Sequence, residues 1–196
     1  MPYLYLIRHP RTHVDPTRPS HEWGLSEQGR VQVGVLADAP FCKVVQAIYA
    51  SNQPKAIEPA TAIGAKYGIP VTAIPGLGEV SRGTETYLNA ADYDNALSKF
   101  FSLPDTSVAG WERATDALAR FHNTMHEIVE QTANESIVVL SHSMVLTLYT
   151  AMLADETPTL AHWHAIDFAT VAAVDLSTMQ LVTPFMAAPY TDIPLP

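Results

Sequence analysis

The sequence predicts an α/β domain, a three-layer sandwich with a largely parallel central sheet and helices on both faces. Three observations predict it. Short, wholly apolar runs alternate along the chain with longer stretches of helical periodicity. Two of those runs end in a histidine, at Arg8-His9 and at Ser141-His142, where α/β sheets place their ligands. Finally, 196 residues with 47% hydrophobic and 16% charged content suit one packed core and leave little room for extended disorder.

Taken in order, residues 3–7 read as a buried strand that delivers Arg8 and His9 at its end. Residues 10–24 hold three prolines and read as a loop. Ser26 can cap a helix to about Asp38, with Glu27 in its first turn. Residues 44–50 read as a second strand. A helix follows over 54–67, with Pro54 at its first position, Gly68 closing it, and Pro59 expected to kink or delay it. Residues 71–74 form a short strand and 75–86 a loop carrying Glu79 and Arg82. Residues 87–101 are moderately helical. Ala114, Ala117, Leu118, Phe121, Met125 and Ile128 recur at spacings of three and four and make one apolar helix face. Residues 137–140 are an apolar strand, followed by Ser141-His142-Ser143 and a helix to about Leu153. Residues 171–176 and 179–182 read as a hairpin. The domain is expected over 1–183, with an extended C-terminal tail over 184–196 that contains four prolines. No internal repeat or domain boundary is visible.

A net charge of −9 repels polyanions, so nucleic acid is a poor partner. The same field opposes a small anion, so any phosphate site must be a local pocket of positive charge. The apolar start is interrupted by Arg8 and His9 and is too short for a signal peptide or a membrane span. Cys42 stands alone, which rules out an intramolecular disulfide and the Cys/His zinc spacings. A cytoplasmic location is expected, although a secreted protein without disulfides would read the same way.

Phosphoryl transfer depends on positioning and on electrostatic stabilisation of three oxygens. An arginine fork matches two of them. A neutral imidazole can attack phosphorus, a helix N-terminus offers N–H groups, and a carboxylic acid must protonate the leaving oxygen. Arg8, His9, Lys55, Glu79 and His142 are candidates for these parts, with the N–H groups of Ser143 and its neighbours aimed at the same anion.

These stretches resemble the histidine phosphatases, a family that includes the cofactor-dependent phosphoglycerate mutases, over nearly the whole chain. Leu6-Ile-Arg-His9 is similar to the family's opening strand and its Arg-His-Gly motif. Leu25-Ser-Glu-Gln-Gly-Arg30 resembles the pattern that opens its first helix. Ile48-Tyr-Ala-Ser51 with Lys55-Ala56 and Ala60 resembles the strand and helix carrying a second phosphate-binding arginine. Gly78-Glu79 falls where the acid often lies, and Val138-Val-Leu-Ser-His142 resembles the strand bearing the second histidine.

The sequence departs from that pattern at several points. Pro10 stands for glycine, Arg11 for a usual glutamate or glutamine, Asp15 for an asparagine that often contacts phosphate, Lys55 for arginine and Ser143 for glycine. Arg11 would add positive charge at the rim. A carboxylate at Asp15 would repel substrate unless it turned away or paired with Arg11 or Arg18. Lys55 keeps the charge and loses the fork.

The resemblance implies a metal-independent phosphomonoesterase without a cofactor, with His9 as nucleophile, Arg8, Lys55 and His142 on the phosphoryl group and Glu79 as acid. Glu85 and Asp92 are alternatives to Glu79. The expected partner is a small-molecule phosphate ester, and the sequence leaves a homo-oligomer open. Mutase activity is less favoured, because the chain has little loop material to exclude water. The alternative is a degenerate pocket that binds a phosphorylated ligand or a partner without turnover. Arg82 is either a rim contact or a solvated charge. His122 and His126 lie one helical turn apart but lack the glutamate of the zinc-protease motif, which favours a surface pair. His13, His21, His162 and His164 are candidates for the pocket mouth only. Cys42 reads as structural.

Overall fold

A computed structural model describes residues 1–83, 88–132 and 135–196. Six strands form one sheet in the order β3-β2-β4-β1-β5-β6: β1 (Tyr3–Arg8), β2 (Ala47–Ala50), β3 (Val71–Ala73), β4 (Ile137–Ser141), β5 (Val171–Asp175) and β6 (Gln180–Met186). The first four strands in that order are mutually parallel, and β5 and β6 are antiparallel additions beside β1. The helices are α1 (Glu27–Ala37), α2 (Pro54–Tyr67), α3 (Ala90–Ser102), α4 (Ala114–Gln131), α5 (Ser143–Leu153) and α6 (Leu160–Ala165).

Strand alternation creates the layers, because successive side chains point to opposite faces. Leu4, Leu6, Ile137, Val139, Ala172 and Val174 pack into one core with α3, α4 and α5. Tyr5, Ile7, Val138, Leu140, Val171 and Ala173 pack into the other with α1 and α2. Both faces are covered, which is why the central strands read as continuous apolar runs. The α/β sandwich with helices on both faces is thus as the sequence predicts.

Several boundaries differ from the expectations. The second strand starts at Ala47, since Pro40–Lys43 winds into a 3₁₀ turn and the Val44 N–H bonds the Phe41 carbonyl. Helix α2 runs through Pro59, which offers no N–H to the helix, and it ends at Gly68 with φ of 69°, the left-handed close that favours glycine. Helix α3 begins after Asn89, whose side chain accepts from the Asp92 N–H. The short helix α6 carries too few turns to show periodicity in the sequence. Strand β6 runs to Met186, past position 183, and tolerates Pro184 because it is an edge strand. The chain beyond it is not simply extended. Tyr190 and Ile193 are buried in the second core, and the Tyr5 hydroxyl donates to the Pro194 carbonyl at 2.8 Å. No helix among the described residues is long and apolar enough to cross a membrane.

Candidate active site

Strand pairing builds the floor of the site. Arg8 is in register with Ser141 on the neighbouring parallel strand, so the residues that follow, His9 and His142, leave the sheet side by side. Their ring centroids are 5.1 Å apart, at 60°. His9 is 6% exposed and His142 fully buried. Arg8, His9, Lys55, Glu79, His142 and Ser143 all line one cavity of about 880 Å³.

The loop after His9 is held by α1. Ser26 caps that helix by accepting from the Gly29 N–H, while its own N–H and hydroxyl donate to the Arg11 carbonyl at 3.0 and 3.1 Å. A Cβ at Gly29 would fall 2.0 Å from that carbonyl, so this close approach requires glycine. Pro10 is accommodated because the site uses only its carbonyl, which lies 2.8 Å from His9 Nδ1. A carbonyl only accepts, so Nδ1 carries the proton and Nε2 keeps its lone pair.

The electrostatics keep both imidazoles neutral. Burial lowers the His9 pKa well below its ordinary value, and the Lys55 and Arg8 charges lower it further against the bond to Pro10. Burial likewise lowers His142 well below the usual range, with His9, Lys55, Arg8 and Arg82 adding to the shift. Among the described residues neither ring nitrogen of His142 has a partner, although both are buried. A buried polar group without a partner is costly, so these nitrogens face a place where a ligand or water belongs. The Arg8 pKa is lowered by burial, with Glu79 and Asp167 opposing. The Arg8 guanidinium donates to the Ile166 carbonyl and stacks on Phe168, with 4.0 Å from its carbon to the ring centroid.

Lys55 sits in the first turn of α2, is 5% exposed, and donates to the Ser20 carbonyl at 2.6 Å. That bond directs a charge that would otherwise oppose the helix dipole. Glu79 differs from the expectation. Its carboxylate accepts from the N–H groups of Met144 and Val145 at 3.1 and 3.2 Å and from Val80 at 3.0 Å. It therefore caps α5, and those two N–H groups are not open to a ligand as the sequence suggested. Nor does the Ser143 hydroxyl stand free, since it accepts from Trp163 Nε1 at 2.9 Å.

The remaining candidates separate cleanly. Arg82 lines the cavity. Arg11 lies against Phe168, 4.8 Å from its ring. Asp15 turns away, its carboxylate accepting from the Thr17 N–H and hydroxyl at 2.9 and 2.6 Å. Asp92 is occupied at the start of α3, and Glu85 lies outside the described residues. His126 meets Glu130 at 3.3 Å, His162 meets Glu156 at 3.5 Å, and His164 stacks on Trp163. His21 borders a neighbouring polar cavity. Burial pushes the Cys42 thiol up to about 12, and its sulfur donates to the Leu36 carbonyl.

Two features escaped the sequence reading. One is a scaffold behind Glu79. Arg120 of α4 donates to the Gly76 and Gly78 carbonyls at 2.8 and 3.1 Å and forks onto Glu112, whose carboxylate also accepts from Ser81 N–H. The Ser141 hydroxyl donates to the Leu77 carbonyl at 2.7 Å, fixing the same loop to β4. The other is an aromatic wall that includes Trp23, Tyr93, Trp111, Trp163 and Phe168. Trp23, Trp111 and Phe168 sit on separate connections, Tyr93 in α3 and Trp163 in α6, with no shared spacing. Only Trp163, flanked by two histidines, offered any signal.

A family model for the histidine phosphatase superfamily, branch 1, matches residues 4–183. The chain belongs to this superfamily. Solved structures of similar fold include Bacillus stearothermophilus YhfR, with a TM-score of 0.76 and 21% identity over 94% of this chain and 96% of that one. The Shigella flexneri alpha-ribazole phosphatase has a TM-score of 0.75 and 22% identity over 94% and 95%. The mycobacterial glucosyl-3-phosphoglycerate phosphatase in complex with VO3 has a TM-score of 0.73 and 20% identity over 96% and 100%. Among curated proteins, no sequence matches this chain. Arg8-His9 and His142 stand at the ends of β1 and β4, with the Pro10 carbonyl and the Lys55 charge beside them.

Proposed function

We propose that this chain hydrolyses a small-molecule phosphate monoester through a phosphohistidine at His9. The observation that carries the reading is the committed tautomer: His9 Nδ1–H is held by the Pro10 carbonyl, which leaves Nε2 as a buried, neutral nucleophile beside the unpartnered His142. Among the described lining residues Arg8, Lys55 and Arg82, with Arg18 paired to Glu22, face one carboxylate, Glu79, which makes this cavity attractive to an anion on an otherwise acidic chain. Superfamily membership and the phosphatase names of its structural neighbours support the same reaction class.

In the first step His9 Nε2 attacks phosphorus in line, the bond to the leaving oxygen breaks, and that oxygen takes a proton from the Glu79 carboxylic acid. Arg8, Lys55 and His142 stabilise the transferring phosphoryl oxygens. In the second step water attacks phosphorus, gives a proton to Glu79, and the N–P bond breaks. Phosphate leaves and His9 returns neutral. The scheme calls on no metal ion and no cofactor. A cytoplasmic setting fits the buried single thiol.

One observation favours the second reading, a binding pocket without turnover: the Glu79 carboxylate is already engaged by three backbone N–H groups. Turnover of an aryl phosphate by wild type and His9→Ala, with a brief-mixing assay for acid-labile protein phosphate, separates the two. The hydrolase turns over and labels only when His9 is present. Saturable phosphate binding without turnover or label would establish the binding module instead.

A further inference from the structure

The cavity is far larger than a phosphoryl group. Its volume, about 880 Å³, lies in the ~300–1,000 Å³ range of whole small-molecule sites, so most of it receives the alcohol half of the ester. The character of that space is set by Trp23, Leu88, Tyr93, Trp111, Trp163 and Phe168.

The polar handles of two of these aromatics are already used inside the protein. Trp23 Nε1 donates to the Asp15 and Arg18 carbonyls at 3.0 and 3.1 Å, and Trp163 Nε1 donates to Ser143 Oγ. What these indoles offer a ligand is carbon surface. Two of the lining guanidiniums lie over rings as well. Arg8 lies on Phe168, and Arg82 lies 5.0 and 5.4 Å from the Tyr93 and Trp111 centroids. The Arg82–Tyr93 hydrogen bond, 2.7 Å, ties that pair together. Stacking of this kind makes rigid, planar walls.

Among its described residues the lining is poor in carboxamides and carboxylates. Among the described residues that form it there is no asparagine, glutamine or aspartate, and its single carboxylate, Glu79, is bound to backbone N–H groups. Of the lining hydroxyls, that of Thr17 donates to Asp15, that of Tyr93 accepts from Arg82 and that of Ser143 accepts from Trp163, so these three are engaged within the protein.

From this juxtaposition we infer that the leaving group is a planar, apolar ring system, held between the aromatic walls while its phosphate lies on Arg8, His9 and His142. The inference rests on the phosphatase reading and narrows its substrate class. A small polar phosphate leaves this wall unused.

The test compares three esters of primary alcohols, so that the leaving oxygens are of one type: 2-(1-naphthyl)ethyl phosphate, butyl phosphate and glucose 6-phosphate. The full chain should show kcat/KM for the naphthylethyl ester at least fivefold above both others. A smaller margin, or a preference for glucose 6-phosphate, overturns the inference while leaving hydrolysis intact. If no ester is turned over, the phosphatase reading fails, and calorimetry with naphthylethylphosphonate and butylphosphonate still decides the wall. At least fivefold tighter binding of the naphthyl compound upholds it, and a smaller margin rejects it. Trp23→Ala and Tyr93→Ala, each checked by thermal melting, should cut the naphthyl-to-butyl ratio at least twofold. An undiminished ratio in a folded variant overturns the assignment to this wall.

Discussion

The floor and the wall of the cavity are built in opposite ways. The floor is carried by two strands whose pairing fixes it: Arg8 opposite Ser141 sets His9 beside His142 before any loop is considered. The wall is assembled from the loop before α1, the start of α3, the segment before α4, and α6 with the region after it, and its residues meet only in the finished fold. The floor should therefore tolerate almost no substitution and govern chemistry. The wall should tolerate change and govern choice of substrate.

The largest break in that contrast is His9→Ala. Removing the nucleophile should lower kcat for an aryl phosphate by at least ~10³-fold with the melting temperature little changed, measured by initial rates and calorimetry. Next is Arg8→Lys. The point charge stays, but the fork and the stacking on Phe168 are lost, and kcat/KM should fall on the order of 10²-fold. A fall of less than about threefold would move Arg8 out of the floor.

Arg120→Met sharpens the comparison, because Arg120 touches neither ligand nor floor yet holds the Glu79 loop. Its loss strands the Glu112 carboxylate and the Gly76 and Gly78 carbonyls. The ion pair is partly solvated, with side chains 30% and 18% exposed, so urea unfolding should register about 2 kcal/mol, below the figure for a fully buried pair. The rate should drop through kcat more than KM if the loop positions Glu79.

The remaining effect is on pH, and it is read from stability rather than rate. Both site histidines titrate lower in the folded chain than their ordinary 6.5. Between those values the unfolded chain binds protons that the folded chain refuses. Stability is therefore full above pH 6.5 and is lost as pH falls through it toward the folded values, by up to about 1.4 kcal/mol per pH unit for each imidazole. Denaturant titrations at pH 7.5 and 5.5 should show the loss, and His9→Asn should reduce it. Equal loss in the variant would remove His9 from the account.

What the sequence makes legible follows the same divide. Strand-end histidines can be read because continuous apolar runs announce their strands, and the sheet rule places their ends together. The helix faces, the Ser26 cap and the glycine under the Arg11 carbonyl are local signals of the same kind. Glu79 was legible by position and misjudged in surroundings, because its bonds to Met144 and Val145 span more than sixty residues. The Arg120–Glu112 scaffold has no local signature, since Arg120 reaches the Gly76 and Gly78 carbonyls more than forty residues away. The aromatic wall had no period at all, and the packing of Tyr190 and Ile193 into the second core was masked by a proline-rich composition.

The central claim is that one particular nitrogen attacks phosphorus. Rapid quenching of the protein with ³²P-labelled aryl phosphate, alkaline digestion and separation of phosphohistidine isomers tests it most directly. The account predicts label on Nε2 of His9, since Nδ1 is held by the Pro10 carbonyl. Label on Nδ1, or on any residue other than His9, would contradict it.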